Sequence, residues 1–203
     1  MSEQIDLQAI FKSVAGTLSE NKESLNQADS YNGNHGDNMV DIFNMVAKAV
    51  SEKKDADVSE QLAKASKVLE EQNSGSAQAY AKGFASAAQQ FQGKQVTADN
   101  AMGLLQSMLS AGEEPVTEDP VQGLLGGLFA GNSGDDDPGF DVNDLLSAGK
   151  AFLTAKNRGE STKEALIGAV ISASPMGKSA HRTQSSQMVA DTILDAIGSF
   201  TKK

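Results

Sequence analysis

The sequence predicts an all-α, single-domain protein of about eight helices, and three observations predict it. Apolar residues recur at helical spacing almost throughout, with no convincing alternating run of the kind that marks a strand. With no Trp, two Tyr and eight Phe among 203 residues, the core must come largely from Ala, Leu, Val, Ile and Met, whose compact side chains let helices approach closely. Only four prolines occur (Pro115, Pro120, Pro138 and Pro175), so nothing forces a break in helices over the first half.

The elements follow from the apolar stripes. Leu7, Ile10, Phe11, Val14 and Leu18 make the first helix; Val40, Phe43, Val46 and Val50 make the second. Val58, Leu62, Ala65 and Leu69 make a third, with Asp57 placed to cap its start. Ala77, Tyr80, Ala81, Phe84, Ala88 and Phe91 make a fourth, ended by Gly93. A fifth carries Leu104, Leu105, Met108 and Leu109, from near Thr97 to Gly112. Residues 112–140 hold three prolines, many glycines and the acidic run Asp135-Asp136-Asp137; they read as a long flexible insertion carrying a short helix at Val121 to Phe129. Helical spacing resumes with Val142, Leu145, Leu146 and Leu153, continues through Ala165, Ala169 and Val170, and ends with Val189, Leu194 and Ile197. No repeat of fixed period is present, so residues 1–203 read as one domain.

Composition removes several function classes. The absence of cysteine excludes disulfides, thiolate metal sites and a cysteine nucleophile. A formal charge of −10 argues against nucleic acid as a partner, because phosphate neutralisation needs clustered Lys and Arg. No apolar run approaches the roughly 20 residues that span a bilayer. The start, Met-Ser-Glu-Gln-Ile-Asp, lacks the basic and apolar stretches of a signal peptide. The expected location is the cytoplasm; homo-oligomerisation is left open.

Chemistry concentrates in the segment LNQADSYNGNHGDNM, residues 25–39, read as the connector between the first two helices. Its Asn and Asp oxygens suit a hard cation such as Mg²⁺. Gly33 and Gly36 let the backbone turn tightly, and a helix starting near Gly36 or Asp37 presents N–H groups that favour phosphate. The plainer alternative is an Asn-Gly turn with Asp37 as a helix cap.

This segment resembles the nucleotide-binding motif of the dihydroxyacetone kinase L-subunit family, also called the DAK phosphatase domain. It is especially similar to the variant in the N-terminal domain of bacterial fatty acid kinases, roughly LNVFPVPDGDTGTNM. Leu25, Asn26, Gly33, Gly36, Asn38 and Met39 match that variant without a gap, and His35 matches the dihydroxyacetone kinase form, roughly GDADHGTNM. The resemblance implies an eight-helix antiparallel barrel whose mouth binds ADP or ATP through Mg²⁺. It also implies a separate partner subunit that presents the phosphoryl acceptor. It places His35, Gly36, Asn38 and Met39 at the nucleotide, with a Gly/Ser turn at Asn73, Ser74, Gly75 and Ser76 holding phosphate oxygens; the ordinary alternative for that turn is an N-cap by Ser74 or Ser76. A weaker likeness covers Gly159-Glu160-Ser161-Thr162 with the helix Lys163 to Ala173. Gly177-Lys178-Ser179-Ala180-His181-Arg182 resembles the basic loop after the family's seventh helix, without the Asp-Pro-Gly that usually follows.

The departure that matters is at the metal. The family's two central carboxylates fall on Asn32 and Asn34, and an amide oxygen offers a dipole where a carboxylate offers a charge. The metal positions implied are Asn26, Asp29, Asn32 and Asn34, with Asp29 and Asp37 close enough in sequence to compensate in part. Asp135, Asp137 and Asp141 have calcium-like spacing but lack the glycine and final Glu of an EF-hand loop, and read as a solvated run. His35 belongs to the motif, where it touches a phosphate or orients a neighbour; His181, in a polar stretch, reads as a surface residue. No Ser-His-Asp or His-x-x-x-His spacing is visible. Two functions follow: a phosphoryl-transfer component related to dihydroxyacetone kinase, or a relative without catalysis that serves as nucleotide or anion sensor or as scaffold.

Overall fold

The computed structural model describes residues 5–97, 100–109 and 162–200. Among these residues there are eight α-helices, one short 3₁₀ helix and no strand. The helices are α1 (Leu7–Glu20), α2 (Lys22–Ala28), α3 (His35–Ser51), α4 (Val58–Glu70), α5 (Gly75–Gln90), α6 (Ala101–Leu109), α7 (Thr162–Ala173) and α8 (Ala180–Phe200), with the 3₁₀ turn Pro175–Lys178 leading into α8. The described residues thus form an all-α domain of packed helices. The insertion at 112–140, the helices read at 121–129 and 142–153, Gly159 to Ser161, and Asp135, Asp137 and Asp141 lie outside the described residues.

The apolar stripes meet in one core. Helix α1 packs on α3 and α8, α4 lies along α5, and α5 packs on α6. Phe11 on α1 sits between Phe43 on α3 and Phe84 on α5, with ring centroids 6.3 and 5.5 Å away; Phe43 in turn meets Tyr80 edge-on at 5.2 Å. All four rings are fully buried. Truncating a ring such as Phe11 to Ala would cost about 3–5 kcal/mol. The caps foreseen from sequence are present: Asp57 accepts from the Glu60 N–H at 2.8 Å, and Gly93, at φ +66°, follows the end of α5.

Two boundaries differ from the sequence reading. The stretch expected as connector begins with helix: α2 takes Leu25 to Ala28, leaving only residues 29–34 as loop. A seven-residue helix with Leu25 as its one core residue shows no period, which is why its sequence reads as loop. Helix α6 starts at Ala101, not near Thr97, because Asn100 ties a turn: its Oδ1 accepts from the Thr97 N–H and its Nδ2 donates to the Gln95 carbonyl, both at 2.8 Å. Among the described residues no helix is long and apolar enough to cross a membrane.

Candidate functional site

The break between α1 and α2 positions everything that follows. Asn21 ends α1, its Nδ2 donating to the Thr17 carbonyl at 2.8 Å, and the chain turns into α2. Helix α2 then lies against the start of α3. Asn26 Oδ1 accepts from the N–H of Gly36 at 2.7 Å and of Asp37 at 3.3 Å, while its Nδ2 donates to Asp37 Oδ2 at 2.8 Å. Asn26 therefore caps α3 from a neighbouring helix, and Lys22 pairs with Asp37 at 3.0 Å beside it. The approach is so close that a Cβ on Gly36 would run into the Lys22 carbonyl and lie 2.9 Å from Asn26 Oδ1. Only glycine fits there.

The six-residue loop after α2 is organised by Asp29. This buried carboxylate accepts from the Tyr31 N–H at 3.0 Å, and Gly33, at φ +67°, makes the turn that returns the chain to α3. The Tyr31 N–H, with smaller contributions from His181 and from the Asn34 and Asn32 N–H groups, holds the Asp29 carboxyl below its ordinary pKa against the opposing effect of burial. Asn34 Oδ1 accepts from Asn38 Nδ2 at 2.8 Å.

Three helix starts meet at one cleft of about 460 Å³. Helix α3 contributes His35 and Asn38, the turn into α5 contributes Asn73 to Ser76, and the start of α8 contributes Ser179, His181 and Arg182; the loop adds Asp29, Tyr31, Asn32 and Asn34. Ser74 caps α5 by accepting from the Ala77 N–H at 3.1 Å. The N–H groups of Gly75 and Ser76 precede that capped position and have no earlier turn to bond to. Each helix start carries a partial positive charge, and the three add.

The two histidines lie side by side, ring centroids 4.6 Å apart. Buried His35 bonds through Nε2 to Ser185 Oγ at 2.9 Å. Burial first, then the electrostatic effect of neighbouring His181 and, less, of Arg182, push its pKa down to about 4 despite the opposing pull of Asp29, so it is neutral at neutral pH. His181 has Nε2 3.2 Å from Ser179 Oγ and Nδ1 3.9 Å from Asp29 Oδ1. Ser179, His181 and Asp29 thus form a Ser-His-Asp row that no sequence spacing displays, although the Asp–His distance is that of an ion pair and not of a hydrogen bond.

Of the residues singled out from sequence, the structure brings together Asp29, Asn32, Asn34, His35, Asn38 and the turn Asn73 to Ser76. Five do not line the cleft. Gly33 makes the turn before α3, and Asp37 is engaged by Lys22 and Asn26. Asn26 spends its oxygen on the α3 cap, Gly36 is buried at the α2–α3 crossing, and Met39 is fully buried in the core. His181, read as a surface residue, is instead a cleft residue with Arg182 beside it. Ser185 carried no signal, since its partner His35 lies 150 positions earlier. Among the described residues no group of three or more His, Asp or Glu is placed to hold a metal ion. Comparison of the chain with protein-family models, with curated proteins and with solved structures returns no match.

Proposed function

We propose that this cleft binds the phosphate groups of a nucleotide directly, without a carboxylate-held Mg²⁺, and that the domain acts as a nucleotide sensor or scaffold. One observation carries the reading: Arg182 and the first turns of three helices surround a cleft whose one carboxylate among the described residues, Asp29, is buried and already engaged. Oriented N–H groups and a guanidinium favour a multiply charged anion.

The residues present do not fit the Mg²⁺ that the resemblance implies. Asn32 and Asn34 offer neutral amide oxygens, Asn26 is committed elsewhere, and Asp29 faces His181. Mg²⁺ beside phosphate is ordinarily held by one or two carboxylates. The reading as a kinase component acting with a substrate-binding partner subunit keeps one observation in its favour: Asn32, Asn34, His35 and Asn38 of the first motif line the same cleft as the Gly/Ser turn. It requires a metal-dependent site.

Calorimetric titration with ADP and ATP, in Mg²⁺ and in EDTA, tests this. Equal affinity in both media, lost in Arg182→Ala, is the expected result. Binding that appears only with Mg²⁺ would turn the reading toward the kinase component, and no binding in either medium would overturn both.

A further inference from the structure

We infer that Tyr31 is the platform on which the planar ring of the bound phosphate ester stacks, and that the site selects for a ring without reading the edge of the base. The inference rests on the phosphate reading of the cleft. Tyr31 is 91% exposed and is the one large hydrophobic side chain exposed among the described residues. Phe11, Phe43, Tyr80, Phe84 and Phe91 are all buried. An isolated exposed apolar residue is ordinary on a protein surface, so placement is what distinguishes this one. Tyr31 stands in the wall of a cleft whose other lining residues, among those described, are polar, charged or glycine, and among the described residues it is therefore the one aromatic face there besides the two imidazoles.

The backbone beneath it is held. The Tyr31 N–H is bonded to the buried carboxylate of Asp29, and the turn at Gly33 fixes the exit of the loop. A ring on a braced loop loses little further backbone freedom on meeting a ligand, so more of the stacking energy appears as affinity. The polar groups of the cleft serve the phosphate end, whereas a phenol face serves a π-system. Stacking on an aromatic side chain tolerates any base, because every base has a π-face, and removing such a platform weakens binding on the order of tenfold. The ligand class is a phosphorylated compound carrying an aromatic ring, purine and pyrimidine nucleotides alike.

The test titrates wild type, Tyr31→Ala and Tyr31→Phe with ADP, GDP and inorganic pyrophosphate. Expected is a loss of about tenfold for both nucleotides in Tyr31→Ala, little change in Tyr31→Phe, and pyrophosphate affinity unchanged in all three proteins. The chain has no Trp and two Tyr, of which Tyr80 is fully buried, so quenching of tyrosine fluorescence by ADP reports Tyr31 directly and should disappear in Tyr31→Phe while binding persists. Nucleotide affinity unchanged in Tyr31→Ala, or lost in parallel with pyrophosphate affinity, overturns the inference. Wild type binding pyrophosphate as tightly as ADP overturns it while the phosphate site stands. Wild type binding none of the three overturns both.

Discussion

The guanidinium of Arg182 rests against Gly75: a Cβ built on that glycine would lie 3.2 Å from Arg182 Nη2. The start of α8 is thereby brought onto the start of α5, and the cation is held where the N–H groups of α5 emerge. Gly75→Ala obliges the tip of a flexible side chain to shift by a few tenths of an ångström. The expected outcome is a several-fold loss of phosphate affinity with a melting temperature close to that of wild type. Calorimetry paired with a thermal melt checks both.

Asn26 joins two helices through three hydrogen bonds, two of them to backbone N–H groups of α3. Asn26→Ala leaves those N–H groups without the cap, and such losses cost about 0.5–2 kcal/mol. Urea denaturation should show that loss as a lower midpoint at unchanged slope. Gly36→Ala should be worse, since the Lys22 carbonyl is backbone and cannot turn aside.

His35 sets a pH dependence. Its folded-state pKa, about 4, lies below the ordinary 6.5, so between those values the unfolded chain takes up the proton and the native protein does not. Stability is therefore present in full above about pH 6.5, falls as the pH drops toward 4, and is not lost further below that on account of this group. The contribution is at most roughly 3 kcal/mol. Asp29 and Asp37, both held below the ordinary carboxylate value, lose their contributions only at still lower pH. Denaturant midpoints measured across the window for wild type and His35→Gln should differ in slope, with the variant flatter.

The double substitution Asn32→Asp with Asn34→Asp places acids at two positions that line the cleft. Nucleotide binding should then become stronger in Mg²⁺ than in EDTA. No gain would count against matching these positions to the family's metal-binding acids.

Where long amphipathic helices were concerned, the sequence was legible. Leu7 to Leu18 and Val58 to Leu69 show their period because each helix buries one continuous stripe. Helix α2 was not, because Leu25 alone anchors it. The site divides in the same way. The polar connector and the Ser74–Ser76 turn stand out by composition, since short polar side chains and glycine cluster wherever N–H groups must be capped or approached. Which side of each residue faces the cleft depends on how α2 crosses α3 and where α8 docks. Those are tertiary facts, and they turned Asn26 into a cap and Met39 into core. His181 reads as surface from sequence because the carboxylate it faces, Asp29, is distant along the chain.

The hydrogen bond between His35 and Ser185 spans 150 positions. Loop closure over such a length is slow compared with the pairing of α1 through α5, whose contacts are nearer in sequence. We predict that α8 seats late in folding and that the nucleotide proposed for the cleft acts as a latch on that last step. It should lengthen the life of the native state by slowing unfolding while leaving the rate of refolding almost untouched.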